Sequence, residues 1–416
     1  MRFDQAGLTV RVLRVYDLGE PNEWAAVNTC VLTYIEEPFR NPGHRRPSLP
    51  YKEAIIALVA VILAHGPAES TGSSRLLLPA QEPLLYQPET YAIALFFMVV
   101  SMLCWGSWAN TVKLCPTYRF QLFYWDYVIG LLLGVFVWGL TLGSAGAIGQ
   151  RFLADVASAG RVSVIDAILG GIVFNIANLL LVAAIEIAGL AVAFPVAIGL
   201  ALIVGAVSSY ILSPAGNPLL LFGGIALVVV AIVCDALAYR MREQEHRATS
   251  RRGLVISLIS GVLMGSFYPL VSHAMSLPHA PGPYATSFYF VVGAALCALL
   301  FNAMLMRKPL DGKPPVGMAV YFQAPFRWHV WGIVGGGIWC TGTVFNFVAS
   351  RAHIVGPAVS YSIGQGATMI SAAWGVFIWK EFAGAPQRSK KLLTLMFVLF
   401  IVGLCAIAFA PIVRTF

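Results

Sequence analysis

The feature that most constrains this sequence is a series of apolar runs long enough to cross a lipid bilayer. Two examples are Ala285–Met306 and Leu392–Val413, and neither contains a charged residue. A helix of about 20 such residues spans the hydrocarbon core of a membrane. Only 11% of the chain is charged, against about a quarter in soluble domains. The sequence therefore predicts an all-α membrane protein.

Ten transmembrane helices are predicted from Tyr91 onward, and we number them as spans 1 to 10. Gly189 is the predicted break between spans 3 and 4, and only Arg351 to His353 separate spans 8 and 9. Links this short favour antiparallel neighbours. The predicted ranges are 91–110, 123–142, 164–186, 190–212, 218–239, 253–273, 285–306, 329–350, 354–378 and 392–413.

The net charge of +8 lies in short loops between apolar runs, which is typical of membrane orientation and excludes a phosphate-tracking groove for nucleic acid. Lysine and arginine concentrate in the loops after spans 1, 5, 7 and 9. Loops on the cytoplasmic side carry this excess. We therefore expect a multi-pass protein of the cell inner membrane, with the 5–6 loop in the cytoplasm. The opposite side carries only Arg151, Arg161, Arg351 and Arg414.

Residues 1–88 differ from the rest, because their one apolar run, Ala54–Ala64, is too short to span. Its flanks are typical of a weak signal peptide, although fifty residues precede them. We favour the alternative that the translation start is placed too early. The predicted division is 1–88 as this segment, 89–240 as a first five-helix repeat, 241–252 as a basic cytoplasmic linker and 253–416 as a second five-helix repeat.

Weak internal similarity supports these two repeats. Gly170–Gly171 in span 3 matches Gly335–Gly336 in span 8, and Ile198–Gly199 in span 4 matches Ile363–Gly364 in span 9. Both pairs are offset by 165 residues. Because each repeat has an odd number of spans, the second enters the membrane from the opposite side, as in many alternating-access transporters. The alternative is a chance arrangement of small residues used for helix packing.

Several stretches resemble the drug/metabolite transporter superfamily, and most closely its glucose/ribose porter and ureide permease branches. They are Trp105–Asn110 (WGSWAN), Phe120–Tyr127 (FQLFYWDY), Asn217–Pro218 and Leu221–Gly224. The resemblance covers about 86–413 and implies a secondary transporter. Plant ureide permeases have a long central loop with a nucleotide-type phosphate motif. Here that loop has only about a dozen residues and no GxxxxGK[ST].

Polar side chains inside the spans are candidates for a substrate site, because they are costly in hydrocarbon. Asn175 and Asn178 share one helix face. Gln365 lies among serines in span 9, where nearby glycines loosen the helix. The alternative is helix packing, interhelical hydrogen bonding or an interfacial aromatic belt. The predicted substrate-binding residues are Trp105, Ser107, Asn110, Asn175, Asn178, Tyr268, Ser360, Ser362 and Gln365.

Three acids near span ends are candidates for proton coupling or gating. Asp126 lies at the start of span 2, Glu186 at the end of span 3, and Glu381 after span 9. Lys113 is near Asp126 in sequence, which suggests an ion pair. The alternative for Asp126 is a carboxylate that faces the helix dipole.

The predicted function is a permease that moves a small polar solute, most simply a sugar, together with a proton. The alternatives are an exporter of metabolites or drugs, or a ureide or nucleobase permease. A membrane-embedded enzyme is the least favoured, because no catalytic motif or paired mid-span acids appear in the sequence. We expect no cofactor, no metal and no nucleic acid. The expected partners are the solute, the bilayer and a proton, with a homodimer left open.

Overall fold

The computed structural model describes residues 85–145, 150–242, 250–310, 312–352 and 355–413, and this part of the chain is helical with turns. The predictions for residues 1–84, for positions 243–249 of the linker, and for His353 and Arg414 fall outside the described residues.

Nine helices in the described residues are long and apolar enough to cross a membrane. They match predicted spans 1 to 8 and 10 within a few residues, and Gly189 (φ 80°) separates spans 3 and 4 as predicted. Their bounds are Tyr91–Ser107, Phe120–Leu140, Arg161–Ala188, Leu190–Leu212, Pro218–Arg242, Arg251–Ser276, Pro283–Arg307, Phe326–Ser350 and Gln387–Phe409.

The segment predicted as span 9 is not one continuous helix, so the count of ten continuous spans is not confirmed. It consists of Pro357–Gly364, Ala367–Ala373 and a π-helical turn, Trp374–Ile378. Gln365 and Gly366 form the break between the first two pieces. We keep the name span 9 for residues 357–378.

Local sequence explains where several spans begin. Proline stands first in the helix of spans 5, 7 and 9, where its missing N–H costs nothing. Asn217 caps span 5, because its Oδ1 accepts hydrogen bonds from the amides of Leu219 (3.0 Å) and Leu220 (3.3 Å). Thr90 and Ser250 cap spans 1 and 6 in the same way.

Spans 3 and 7 cross at two glycines. A methyl group on Gly171 would overlap the carbonyl oxygen of Phe290, and one on Gly293 would overlap that of Ile168. The two backbones can approach this closely only because both positions lack a side chain.

Spans 8 and 2 cross in the same manner. A methyl group on Gly336 would overlap the carbonyl oxygen of Tyr127, and one on Gly130 would overlap that of Ile333. The two crossings therefore use glycines at corresponding places, one on each helix.

The remaining packing pairs spans of the first half with spans of the second. Span 6 packs on spans 3 and 4, and span 1 packs on spans 8 and 9. Span 5 packs along span 10, span 2 contacts span 7, and span 4 contacts the first piece of span 9.

A short helix precedes each of spans 3 and 8. The helix Phe152–Ser158 buries Phe152 and Asp155, whereas Met318–Gln323 has no buried residue. We call these the first cap and the second cap.

Candidate functional site

A cavity of about 670 Å³ lies among spans 1 to 6, 8 and 9. Its aromatic wall includes Trp105, Phe174 and Trp339. The ring of Trp339 stacks on that of Phe174, with centroids 4.3 Å apart and planes inclined by 27°, and on that of Trp105, with centroids 5.9 Å apart and planes inclined by 21°. Such a volume is typical of small-molecule sites, and the wall offers flat apolar faces to a ligand.

Polar groups face this cavity from spans 3 and 9. Asn178 donates a hydrogen bond from Nδ2 to the hydroxyl of Tyr124 (3.3 Å), and its side chain lines the cavity. Gln365, Thr368 and Ser371 line the cavity at and just after the break in span 9. Span 9 therefore adds an amide and two hydroxyls to the cavity that Asn178 lines from span 3.

Charged side chains lie where the cavity reaches the ends of spans 1 and 5. Lys113 contacts Glu381, Arg242 Nη1 lies 3.3 Å from Glu381 Oε2, and the Tyr239 hydroxyl donates to the same oxygen (3.0 Å). All four residues line the cavity, and we call them the mouth cluster. Burial raises the pKa of the Glu381 carboxyl. The hydrogen bond and charge of Lys113, together with the contacts of Tyr239 and Arg242, outweigh burial and hold this pKa below its ordinary value.

The structure brings four of the nine predicted substrate-binding residues to this cavity: Trp105, Asn110, Asn178 and Gln365. Ser107 is next to lining residues in the sequence, and its hydroxyl accepts a hydrogen bond from Trp374 Nε1 (2.9 Å). Asn110 is itself fixed by Trp379, whose Nε1 donates to its Oδ1 (2.6 Å).

The other four predicted residues lie within helix contacts and do not line the cavity. Tyr268 donates to Asn346 Oδ1 (2.6 Å), and Ser360 donates to the carbonyl of Asn346 (2.9 Å). Ser362 donates to the carbonyl of Ala358 on its own helix. Asn175 accepts a hydrogen bond from the Tyr124 hydroxyl (2.8 Å), one turn from Asn178.

Asp126 does not pair with Lys113, which contacts Glu381 instead. The carboxylate of Asp126 is 1% exposed and accepts hydrogen bonds from Tyr118 (3.0 Å) and Tyr321 (2.6 Å), with His329 Nδ1 at 3.0 Å. Burial and the charge of Asp126 raise the pKa of both tyrosines, which therefore remain protonated donors. Tyr321 and His329 lie about 200 residues from Asp126 in the sequence, which hid these two partners, whereas Tyr118 lies only eight residues before it.

Glu186 lies 3.2 Å from Lys313 of the 7–8 loop, and both side chains are partly exposed. It borders a small crevice beside the main cavity, so its position is peripheral.

Of these three wall residues only Trp105 was predicted, although one signal in the sequence points to the other two. Phe174 and Trp339 are 165 residues apart, the same offset as the paired glycines. Arg242 and Tyr239 were missed because they resemble an ordinary basic and aromatic span end. Within the described ranges, no group of three or more His, Cys, Asp or Glu residues could hold a metal ion.

Comparison with known proteins adds a family to this geometry. Residues 97–410 match the family model described as sugar transport protein. Ureide permease 1 of Arabidopsis thaliana is 21% identical over 387 residues, with 78% of this chain and 98% of the relative covered. Ureide permease 2 of the same plant is 22% identical over 390 residues, with 76% and 96% covered. One solved crystal structure shares the fold, with a TM-score of 0.50 at 16% identity over 75% of this chain and 96% of that one.

Proposed function

This chain belongs to the sugar transport protein family, a family of multi-pass membrane transporters, and we propose that it is a permease for a flat, polar solute of the ureide or nucleobase class. Its relatives named as ureide permeases support that class over the sugar that the sequence favoured. The long central loop of the plant proteins is not required for this proposal, because the cavity is built from the spans.

The observation that carries the proposal is the pairing of an aromatic wall with side-chain amides in one cavity. The stacked rings of Trp105, Trp339 and Phe174 give the cavity an aromatic lining against which a conjugated ring can pack. Asn178 and Gln365 each present a donor and an acceptor, which complement the N–H and C=O groups of a ureide or nucleobase.

A sugar is the second candidate, because the family carries that description. Sugar hydroxyls would hydrogen-bond the same amides, and the rings would contact the apolar face of a pyranose. The two candidates differ in what they require of the Trp339 ring. A solute with a conjugated ring gains affinity when its faces stack on aromatic rings, whereas a sugar needs only apolar contact.

We further propose ten spans in two inverted repeats, 89–240 and 253–416, joined by the basic linker 241–252. The matched glycine crossings, 3 with 7 and 8 with 2, support this symmetry, as do the exchanged packing pairs. Under the charge rule, the mouth cluster faces the cytoplasm of an inner membrane. The cavity would then open inward in this conformation.

Within that scheme, Trp105, Asn110, Asn178 and Gln365 contact the solute. The other predicted residues support them through hydrogen bonds within and between helices; they are Ser107, Asn175, Tyr268, Ser360 and Ser362. Asp126 and Glu186 act as gate residues, because each joins spans of the first half to the 7–8 loop. A homodimer stays a proposal.

The test is counterflow in proteoliposomes loaded in turn with unlabelled uracil, allantoin or glucose. We expect exchange of labelled uracil or allantoin, with glucose at background. Trp339→Leu should weaken apparent affinity for the exchanged solute about tenfold, whereas Trp331→Leu, on the same span but partly exposed, should not. Exchange of glucose alone would favour the second candidate, and no exchange of any of the three would refute both.

A further inference from the structure

Span 5 contains a buried acid that the proposed site does not use. Asp235 is 8% exposed, and its Oδ1 is buried without a hydrogen-bond partner in the described part of the chain. It lies seven residues before Arg242, so it is about 10 Å deeper along the helix. An ionised carboxylate at that depth is costly unless it is paired or protonated.

The described groups around Asp235 do not neutralise it. Tyr239, one turn away, donates its hydroxyl to Glu381, and that second carboxylate repels Asp235. Span 4, which packs on span 5, brings no Asp, Glu, Lys, Arg or His. Span 10 brings Ser389, whose hydroxyl donates to the carbonyl of Ala238 (2.8 Å). Its basic residues Arg388, Lys390 and Lys391 are exposed.

Other acids on this side of the molecule are already satisfied. Glu381 is matched by Lys113, Arg242 and Tyr239, and Asp126 accepts from two tyrosines beside His329. Asp235 alone among these three has a buried oxygen with no donor. It therefore has the most to gain from binding a proton.

We infer that Asp235 is the proton-binding carboxyl that couples transport to a proton gradient, an inference that rests on the proposed permease function. One proton binds the carboxylate to give a neutral carboxyl, and the same proton leaves when the carboxylate forms again on the other side of the membrane. No other bond changes. Neutralisation lets span 5 reorient without carrying a bare charge through hydrocarbon.

The neighbouring cavity supplies the exchange route in this conformation. Tyr239 lines the cavity and lies one turn from Asp235, so movement of this ring would connect the carboxyl to water at the mouth. Gly375, in the π-helical turn of span 9, leaves room for that ring, because a methyl group there would lie 2.8 Å from the Tyr239 hydroxyl.

The experiment compares uptake driven by an inward proton gradient with counterflow at equal pH, in proteoliposomes, with labelled uracil and allantoin as probes. Asp235→Asn should reduce gradient-driven accumulation at least about fivefold, toward the equilibrium level, and keep counterflow within about twofold of wild type. Asp235→Glu keeps a titratable group and should retain accumulation. Asp166→Asn, which removes a carboxylate at the far end of span 3, is the matched control and should accumulate normally.

Two results with the Asp235 variants would overturn the inference, and one with the wild type. One is normal gradient-driven accumulation by Asp235→Asn, and the other is loss of counterflow in both Asp235 variants while their melting temperatures stay normal. A wild type that exchanges solute but responds to a sodium gradient and not to a proton gradient would also refute it, and would leave the permease proposal intact. A wild type that exchanges none of the panel refutes the permease proposal itself.

Discussion

The two caps occupy corresponding places in the two halves of the chain, yet only the first is buried. The first cap inserts Phe152 among the rings of Phe136 and Phe288, and its Asp155 accepts a hydrogen bond from the amide of Gly282, at the start of span 7. The second cap leaves its apolar side chains exposed and contributes a hydrogen bond from Tyr321 to Asp126, near the start of span 2.

This difference agrees with the position of the cavity, which reaches the mouth cluster and not the first cap. The buried first cap closes one face of the bundle. The exposed second cap goes with a cavity that is accessible from the other face. In an alternating-access cycle the two caps would exchange these states, while the glycine crossings between the two halves stay the same.

The largest expected effect concerns the shared crossings. Gly171→Ala and Gly336→Ala should each destabilise the protein by at least about 1–3 kcal/mol, because the added methyl group overlaps a carbonyl oxygen of the facing helix. Thermal unfolding in detergent should show a large and similar loss for both variants.

The control is the next residue in the chain. A methyl group on Gly337 meets no atom within 4 Å, so Gly337→Ala should unfold near the wild-type temperature. The two crossings are not equivalent if the unfolding temperatures of Gly171→Ala and Gly336→Ala differ from each other as much as either differs from that of Gly337→Ala.

The sequence was sufficient for the features that depend on local composition. Span positions follow from apolar runs, and one glycine of each pair, Gly171 and Gly336, lies at a close helix crossing. Gly189 ends its helix as expected, because its positive φ is readily adopted only by glycine.

Features set by distant contacts were not predictable. Two of the partners of Asp126, Tyr321 and His329, come from the second cap and span 8, and no local pattern indicates them. The wrong pairing with Lys113 came from sequence proximity. Asp235 was overlooked because a single acid seven residues before a basic span end resembles an ordinary helix terminus, and only packing shows that it is buried.

A second prediction separates two mid-span asparagines, one from each half. Asn346 is bonded to Tyr268, Ser101 and Ser360, so Asn346→Ala should lower stability by about 1–3 kcal/mol, because those buried groups lose their partner. Asn178→Ala should instead weaken affinity for uracil or allantoin by a few-fold to about tenfold, with little change in melting temperature.

Both variants are measured in one pair of assays, equilibrium binding and thermal unfolding. The expected pattern is a crossed one, with stability lost at position 346 and affinity lost at position 178. If Asn178→Ala lowers only the melting temperature, the residue holds helices together and is not part of the solute site.

A third prediction concerns the buried acid of the first cap. Burial raises the pKa of Asp155 from 3.8 to about 6, although the Gly282 amide and the charge of Arg351 oppose the shift, and the hydroxyl of Tyr289 lies nearby. The protonated form therefore favours the closed cap. This contribution is fully present below pH 3.8 and is lost as pH rises through about 6.

Between pH 5 and pH 7, the wild type should lose about 1 kcal/mol of stability through this group. Asp155→Asn keeps an oxygen for the Gly282 amide and carries no charge, so its melting temperature should fall less over the same range. An identical decline in the two proteins would show that Asp155 does not titrate in the closed cap.

The smallest expected effect is at the gate ion pair of Glu186 and Lys313, which ties the end of span 3 to the loop before the second cap. Because both side chains are partly exposed, solvent screens their attraction, and such a pair contributes about 0.2–1 kcal/mol. Glu186→Gln should therefore shift the balance between open and closed mouth by no more than about fivefold.

The shift is read from the rate at which a thiol reagent labels Asn178→Cys in the cavity, with wild type as the background for native cysteines. Higher salt should abolish the difference, because it screens the pair in the parent protein too. A salt-independent change larger than tenfold would mean that Glu186 acts through a buried contact, and the second cap would then be held as firmly as the first.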